Sequence, residues 1–270
     1  MSATNSVNLE LVNAFGLSKY LRGRRGRWKP SAGQSSQSSH NMKYRTILLF
    51  GAPGAGKGTQ GKILGTIPNF FHCACGDVFR SLKADSPIGR VFLEYSSRGQ
   101  LVPDPTTIEL WHDFIDASTK AGRFRPEEDT LVLDGIPRNV RQAQILKDTL
   151  DVVAIFFLRC ANQEALVQRL QRRALKENRL DDANLQVIRE RQATYERETK
   201  PVLDFYDKAI EHRINSDQAP YKVSFDLLKH IVKSCLQTLS RLRPARKSCA
   251  PSLSQRFKPA WQPLYRLRLP

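Results

Sequence analysis

A glycine-rich stretch that contains one lysine is the part of the sequence best equipped for chemistry. It reads G-A-P-G-A-G-K-G-T from Gly51 to Thr59 and directly follows an apolar run. Gly51 and Gly56 enclose four residues ahead of Lys57, so the backbone N–H groups of this turn can curl around an anion. A helix that begins after the turn directs its positive N-terminus at the same point. The stretch therefore predicts a phosphate site in which Lys57 reaches the outer phosphates of a nucleotide.

A turn of this composition can also join a strand to a helix without holding any ligand. Here an apolar strand, the turn, a lysine, a hydroxyl and a helix follow one another in the order that a phosphate site requires, which favours the phosphate site. The residues expected to contact the phosphates at this turn are Gly54, Ala55, Gly56, Lys57, Gly58 and Thr59.

One departure from the usual phosphate-binding pattern is informative. Gly58 stands directly after the lysine, where Ser or Thr is usual, and Thr59 follows one position later. With its proline, the stretch reads G-x-P-G-x-G-K-G-T and resembles the adenylate kinase branch of the nucleoside monophosphate kinases. The resemblance implies a P-loop fold and the transfer of a phosphoryl group from ATP to a nucleoside monophosphate.

A second stretch resembles the segment of these kinases that binds the acceptor nucleotide. It comprises C-G-D-V-F-R from Cys75 to Arg80, and then G-Q-L-V-P over residues 99–103. The resemblance implies that Arg80 grips the acceptor's phosphate, since a guanidinium fork suits two phosphate oxygens. It also implies that Cys75, Leu101 and Val102 line the acceptor's base. Cys75 stands where the family usually has Ser or Thr, and a thiol is the weaker hydrogen-bond donor.

A third stretch, D-G-I-P-R-N-V-R-Q from Asp134 to Gln142, follows the third predicted strand. Open α/β sheets gather their ligands at the carboxyl ends of the strands. The family pattern is D-G-F-P-R with a glutamine four residues beyond the arginine. The resemblance therefore implies that Gly135 and Arg138 hold the acceptor and that Gln142 reads an adenine edge. Asn139, directly after the arginine, is closer to the UMP/CMP kinases, so AMP is favoured as acceptor but UMP and CMP stay open.

The resemblance further implies a magnesium ion that arrives with ATP. Its expected ligands are Asp134, Thr59 and Asp77, acting through water. Taken alone, Asp77 and Arg80 would instead be a helix-start cap and a surface ion pair. No structural zinc is expected, because the one closely spaced cysteine pair of the sequence has no second pair to match it.

A fourth stretch resembles the short form of the lid that closes over the nucleotides. Arg169 and Arg173 are four residues apart and so share one helix face. The motif R-L-D-D from Arg179 follows, and then an arginine four residues before a tyrosine. The resemblance implies that Arg173, Arg179 and Arg191 converge on the transferred group after closure, and that Arg169 is a platform for adenine. The interval from Arg179 to Arg191 is one residue longer than the family's, so Arg189 is an alternative to Arg191.

Apolar and amphipathic segments alternate from residue 44 onward, which predicts a parallel sheet with helices on both faces. The fold class is therefore α/β, a five-stranded parallel doubly wound P-loop sheet with a helical insertion for the acceptor and a short lid. The expected strands are 46–50, 69–73, 130–133, 152–158 and 212–215. The expected helices are 103–117, 139–150, 162–174 and 183–210, with a last helix over 220–239.

The two ends of the chain differ from its middle in charge. The net charge is +17, and residues 1–42 carry six Lys or Arg and one acid, whereas residues 236–270 carry eight Lys or Arg and no acid. Both ends are rich in small polar residues, which predicts disordered extensions at 1–42 and 241–270. The first is alternatively an organelle-targeting leader or an over-extended start. Between them we expect one kinase domain at 43–240, with the acceptor insertion at about 74–102 and the lid at about 170–183.

Composition also limits the class of protein. The five cysteines are odd in number and lie in or beside apolar segments, which favours reduced thiols in the cytoplasm. No apolar run approaches the ~20 residues of a membrane helix, so no membrane partner is expected. The leading hypothesis is a monomeric adenylate kinase that acts on ATP and AMP. The second is a nucleotide-binding protein with a degenerate kinase site whose basic, aromatic-bearing ends bind RNA or DNA.

Overall fold

The structure is a computed structural model that describes residues 43–177 and 179–242. The predictions for residues 1–42 and 243–270, including the leader and the nucleic-acid-binding tail, lie outside the described residues. The chain divides into two compact units, the first ending at Ile231. Of the second unit, the structure describes only the end of the last helix.

Five parallel strands form one sheet. They are β1 (Tyr44–Gly51), β2 (Phe70–Ala74), β3 (Thr130–Asp134), β4 (Leu150–Arg159) and β5 (Glu211–Asn215). Their order across the sheet is β2-β3-β1-β4-β5, so the strand that precedes the glycine-rich turn is central. Leu48 of this strand lies opposite Leu133 on one side and Ile155 on the other. A central parallel strand is covered on both faces, which explains its unbroken apolar run.

Eight α-helices lie within the described residues. They are α1 (Lys57–Leu64), α2 (Cys75–Ser81), α3 (Pro87–Ser97), α4 (Asp104–Lys120), α5 (Val140–Leu146), α6 (Gln163–Glu177), α7 (Leu185–Thr194) and α8 (Pro220–Leu242). None of the described helices is long and apolar enough to cross a membrane.

Each face of the sheet has its own apolar core. Leu48 and Phe50 of β1 belong to one core, which helices α2, α4 and α5 complete. Ile47 and Leu49 alternate to the opposite face and join the other core, to which α1, α6 and α8 contribute. Successive side chains of a strand point to opposite faces, so one strand can anchor both layers. The predicted doubly wound α/β fold is confirmed.

Two predicted helices are wrong in extent. The helix expected over 139–150 ends at Leu146, because Leu150 begins β4 and pairs with Tyr44 of β1. The helix expected over 183–210 is α-helical only to Thr194 and continues as a π-helical turn, Tyr195–Thr199, and a 3₁₀ segment, Lys200–Asp204. Pro201 prevents an α-helix from continuing through residue 201, because proline has no N–H to donate to the carbonyl oxygen of residue 197 and its ring clashes with that carbonyl.

Helix α1 packs closely on β2 through a glycine. A Cβ placed on Gly61 would overlap the imidazole ring of His72, so any side chain at this position requires the ring to move. The close contact holds α1 against the sheet just behind the glycine-rich turn. The fit between Gly61 and His72 therefore supports the position of the turn itself.

We expect Gly61→Ala to lower the free energy of unfolding by about 1–3 kcal/mol, because the methyl group overlaps the imidazole ring of His72. The same substitution in a His72→Ala background is expected to be neutral or stabilising, since alanine favours a helix over glycine by about 1 kcal/mol. Urea unfolding of the four chains measures the coupling. An equal cost of Gly61→Ala in both backgrounds would contradict the predicted overlap.

Candidate active site

The glycine-rich turn joins β1 to α1 and adopts backbone angles that favour glycine. Gly54 and Gly56 have φ angles of 86° and 95°. A Cβ on Gly54 would lie 2.8 Å from the carbonyl oxygen of Leu166, so the turn and α6 approach closely here. Gly56 directly precedes the first residue of α1, Lys57, and the positive end of that helix faces the turn. The geometry of an anion-binding loop is thus present.

Lys57 folds back over the turn. Its Nζ donates hydrogen bonds to the carbonyl oxygens of Gly51 at 2.7 Å and Ala52 at 3.2 Å. Burial lowers the pKa of Lys57 to about 8. The carboxylate of Asp134 opposes this shift, whereas nearby arginines, Arg138 among them, add to it. The lysine is therefore poised to gain a proton when an anion enters the turn.

Asp134 ends β3, the strand that lies next to β1. Leu49 of β1 is its register partner, so the carboxylate is placed at the same edge of the sheet as the glycine-rich turn. A Cβ on Gly58 would lie 3.5 Å from Oδ2 of Asp134. The carboxylate of Asp134 thus lies close to the first turn of α1.

Helix α2 begins at Cys75 and carries an ion pair. Arg80 donates a hydrogen bond to Oδ1 of Asp77, three residues earlier. Although burial raises the pKa of Asp77, the hydrogen bond and charge of Arg80 outweigh it and hold this pKa below its usual value. Burial raises the pKa of the Cys75 thiol to about 11, so that side chain stays protonated.

The segment after β3 is braced from within. The Arg138 side chain donates from Nε to the carbonyl oxygen of Gly135 at 2.9 Å, and Gly135 has a φ angle of 81°. The backbone N–H of Arg138 donates to Oε1 of Gln142 at 2.7 Å. Nε2 of Gln142 donates to Asp104 at 2.8 Å, so each polar atom of this amide has one protein partner. One N–H and one lone pair of the amide are not used by these two hydrogen bonds.

Two adjacent carboxylates organise the arginines of the lid. Asp182 is fully buried and accepts from Nε of Arg173 at 2.7 Å. Asp181 accepts from Arg179 at 2.9 Å and from Arg191 at 2.7 Å, and Arg191 also bonds Asp182. The hydrogen bond from Arg179 and the charges of the arginines outweigh burial and lower the pKa of Asp181 to about 2. Burial lowers the pKa of Arg191 to about 10, a value at which it stays protonated at neutral pH.

The two arginines of α7 that the sequence left as alternatives differ in position. Arg191 lines the cleft, whereas Arg189 is exposed. Gly99, at the end of the acceptor segment, permits this packing. A Cβ there would lie 3.1 Å from Cγ of Arg191, and its φ angle is 72°. The lid helix and the acceptor segment therefore meet at a glycine.

All residues predicted to bind substrate or metal line one cleft, whose volume is about 570 Å³. From the glycine-rich turn and the acceptor segment the cleft is lined by Gly54, Ala55, Gly56, Lys57, Gly58, Thr59, Cys75, Asp77, Arg80, Leu101 and Val102. From the segment after β3 and the lid it is lined by Asp134, Gly135, Arg138, Gln142, Arg169, Arg173, Arg179 and Arg191.

One wall of the cleft was missed from the sequence. The segment after β5 contributes Ser216, Gln218 and Pro220 to the lining. Gln60 of α1 ties this wall to the glycine-rich turn by donating to the carbonyl oxygen of Pro220 at 3.0 Å. The available signal was positional, because this segment follows the carboxyl end of a strand, as the other cleft segments do.

Comparison with known proteins agrees with the four stretches. A family model described as adenylate kinase matches residues 49–211, which is more than half of the chain. The chain belongs to the adenylate kinase family. This match confirms the predicted membership. The matched range also contains every residue predicted for the site. The family makes the chain a phosphotransferase, a nucleoside monophosphate kinase.

The chain is also similar to curated proteins over most of the length of those proteins. The adenylate kinase of Cyanothece sp. (strain PCC 7425 / ATCC 29141) is 38% identical over 165 residues, which cover 59% of this chain and 80% of that protein. The adenylate kinase of Parabacteroides distasonis is 33% identical over 193 residues, which cover 70% of this chain and 97% of that protein. The similarity therefore extends over most of the length of each relative.

No group of three or more His, Cys, Asp or Glu side chains in residues 43–177 and 179–242 is arranged to hold a metal ion. Cys73, Cys75 and Cys160 are free thiols.

We expect ATP binding at pH 8 to take up about half a proton from solvent, because a Lys57 with a pKa of about 8 is half neutral in the empty cleft. Phosphate oxygens favour the charged form and raise this pKa. Calorimetric titration with ATP alone, in buffers of different ionisation enthalpy, measures the uptake. Lys57→Arg is the matched control, since its guanidinium does not titrate near pH 8. Equal proton uptake by both chains would contradict the lowered pKa.

Proposed function

We propose that this chain catalyses the reversible transfer of a phosphoryl group from Mg-ATP to AMP, with two ADP as products. The observation that carries the proposal is the single cleft that Lys57, Arg80, Asp134 and Arg138 share at the carboxyl ends of the strands. Phosphoryl transfer needs little covalent chemistry from the protein, so positioning and charge neutralisation do most of the work. A cleft that gathers cations beside an anion-binding turn supplies both.

On the donor side, the turn between β1 and α1 holds the phosphates of ATP. The N–H groups of the turn and the positive end of α1 meet the phosphate oxygens, and Lys57 exchanges its two backbone carbonyl partners for them. Arg169 of α6 provides a platform for the adenine ring. Ser216 and Gln218 line the cleft from the segment that Gln60 of α1 ties to this turn through Pro220.

Asp134 and Thr59 fit a magnesium ion that arrives with ATP. Magnesium prefers oxygen ligands and keeps several of its waters, which suits a carboxylate beside Gly58 and an exposed hydroxyl in the same cleft. Asp77 fits less well, because Arg80 already holds its carboxylate. Bound here, the ion supplies neutralisation of charge on the donor phosphates.

On the acceptor side, Arg138 and Arg80 hold the phosphate of AMP in line with the donor. Each has a protein partner in the structure, Gly135 for Arg138 and Asp77 for Arg80, which holds the guanidinium in place at the cleft. No general base is needed, because a phosphate acceptor is already ionised. The backbone and side chains of Leu101 and Val102 line the base, and Gln142 reads its edge.

The lid completes the site. Arg173, Arg179 and Arg191 stabilise the transferred group, and the paired carboxylates of Asp181 and Asp182 hold these arginines close together before any nucleotide arrives. Closure of the lid also excludes water, which would otherwise take the phosphoryl group. All of these groups belong to one chain, which supports the further proposal that the protein acts as a monomer. We also propose that it acts in the cytoplasm.

AMP is favoured over UMP and CMP as acceptor. The curated relatives described above are named adenylate kinases, which supports this choice, and so does the amide of Gln142 at the cleft. An amide offers a donor and an acceptor side by side, and the adenine edge presents the complementary pair.

The test is ADP formation from ATP and Mg²⁺ with AMP, CMP, UMP or GMP as acceptor. We expect the highest kcat/KM with AMP, and a loss of about a hundredfold or more in Arg138→Ala without loss of folding. Arg141→Ala, an exposed arginine of α5 outside the cleft lining, is the matched control and is expected to keep normal turnover. Faster turnover of CMP or UMP would overturn the choice of acceptor.

Absence of ADP formation by the intact chain would overturn the kinase assignment. Salt-sensitive nucleic-acid binding that survives Lys57→Ala, in a chain that forms no ADP, would support the second hypothesis instead.

The two arginines of α7 provide a second test, with the same charge change in each variant. We expect Arg191→Ala to lower kcat by about a hundredfold, since Arg191 lines the cleft beside Asp181, and Arg189→Ala to leave it near normal. Steady-state kinetics with AMP measures both variants. Equal effects from the two substitutions would show that overall charge, and not the position of Arg191, matters.

A further inference from the structure

Three polar side chains behind the acceptor site form a connected set of hydrogen bonds. Oδ1 of Asp104 accepts from Nε2 of Gln142 and from Nδ2 of Asn139, each at 2.8 Å. Oδ1 of Asn139 accepts from the backbone N–H of Gln142 at 2.8 Å and so caps α5. Oε1 of Gln142 accepts from the backbone N–H of Arg138 at 2.7 Å. The Gln142 amide is thus held at both of its polar ends.

The chemistry of these partners permits only one orientation of the Gln142 amide. A backbone N–H can only donate, and an ionised carboxylate can only accept. Turning the amide over would set its NH₂ group against the N–H of Arg138 and its oxygen against the carboxylate of Asp104. Gln142 is only 1% exposed, so bulk water cannot relieve the two mismatches. Of the two partners, the Asp104 carboxylate is the one that a substitution can remove.

The orientation matters because the edge of a purine can present either of two patterns. Adenine offers an amino donor next to a ring acceptor. Hypoxanthine, the base of IMP, has nearly the same size but offers a carbonyl acceptor next to a ring N–H donor. An amide that cannot turn over complements one pattern and opposes the other. A mobile amide would complement both.

Asp104 is well placed to set this orientation from outside the cleft. It is the first residue of α4 and lies two residues beyond Val102, which lines the cleft. On the same turn, Oγ1 of Thr107 donates to the carbonyl oxygen of Val102 at 3.3 Å. The first turn of α4 therefore contacts both Val102, which lines the cleft, and the Gln142 amide. An acidic residue here also suits the positive end of a helix, which is the purely structural alternative.

We propose that Asp104 is a positioning residue that fixes the orientation of the Gln142 amide and thereby makes the acceptor site select an adenine edge over a 6-oxopurine edge. The inference rests on the proposed function, because it concerns the acceptor of that reaction. Asp104 acts through Gln142 and does not contact the nucleotide.

The experiment compares AMP with IMP. Isothermal titration without ATP gives Kd for each nucleotide, and steady-state kinetics gives kcat and KM with AMP. In Asp104→Ala we expect the preference for AMP over IMP, taken as the ratio of the two Kd values, to fall by about tenfold, the effect expected for one buried hydrogen bond. Asp104→Asn keeps one acceptor oxygen and is expected to recover part of the preference.

Asp116→Ala is the matched control, since it removes an exposed acid from the same helix away from the network. It is expected to leave the ratio unchanged. Asp104→Ser keeps a polar residue that suits a helix start, but its side chain is too short to reach the Gln142 amide. If Asp104→Ala does not fold, the ratio of the two Kd values in Asp104→Ser tests the proposal.

A purely structural role predicts that AMP and IMP weaken in parallel, with the ratio unchanged in Asp104→Ala and Asp104→Ser. That result, in a chain that still forms ADP from AMP, would overturn this inference alone. Failure of the unaltered chain to phosphorylate AMP would overturn the proposed function and this inference with it.

Discussion

The cleft depends on a balance between crowded cations and a few well-placed carboxylates. Lys57 and the lid arginines would repel one another strongly in a site shielded from water. Asp181 and Asp182 sit between the lid arginines, and Asp134 faces Lys57, so the positive charge is held in place before a nucleotide arrives. Burial, aided by the nearby arginines, lowers the pKa of Lys57 to about 8 against the opposing charge of Asp134. The negative charge of a phosphate would favour the protonated lysine.

The parallel sheet explains why these groups meet. β1, β2, β3 and β5 all end at the same edge, and a segment of the cleft follows each of them. Because apolar cores cover both faces of the sheet, the strands themselves are unavailable for polar contacts, and binding groups are confined to the segments that leave this edge. Close packing at Gly54 and Gly61 then brings α6 and α1 near enough for these segments to share one cleft.

Short sequence patterns predicted the strands and most helices correctly. They failed where a contact with a residue far away in the chain sets the end of an element. The strands were recognisable from apolar runs. Four of the five proved longer than predicted, because pairing with neighbours extends a strand beyond its most apolar part, whereas β2 has the predicted length and is shifted by one residue. The helix expected over 139–150 stops early because Leu150 pairs with a strand a hundred residues earlier in the chain. Pro201 was visible in the sequence, but the π-helical turn Tyr195–Thr199 before it follows no local pattern that the sequence analysis used.

The sequence by itself determined the glycine-rich turn, the acceptor and lid motifs, the family and the α/β class, because each follows from residue types at fixed short spacings. Only the tertiary structure decided that Arg191 rather than Arg189 lines the cleft, that Asp104 holds Gln142, and that the segment after β5 forms a wall. These last features join residues that lie ten to over a hundred positions apart. No local pattern encodes such a contact, because it exists only once the helices have packed on both faces of the sheet.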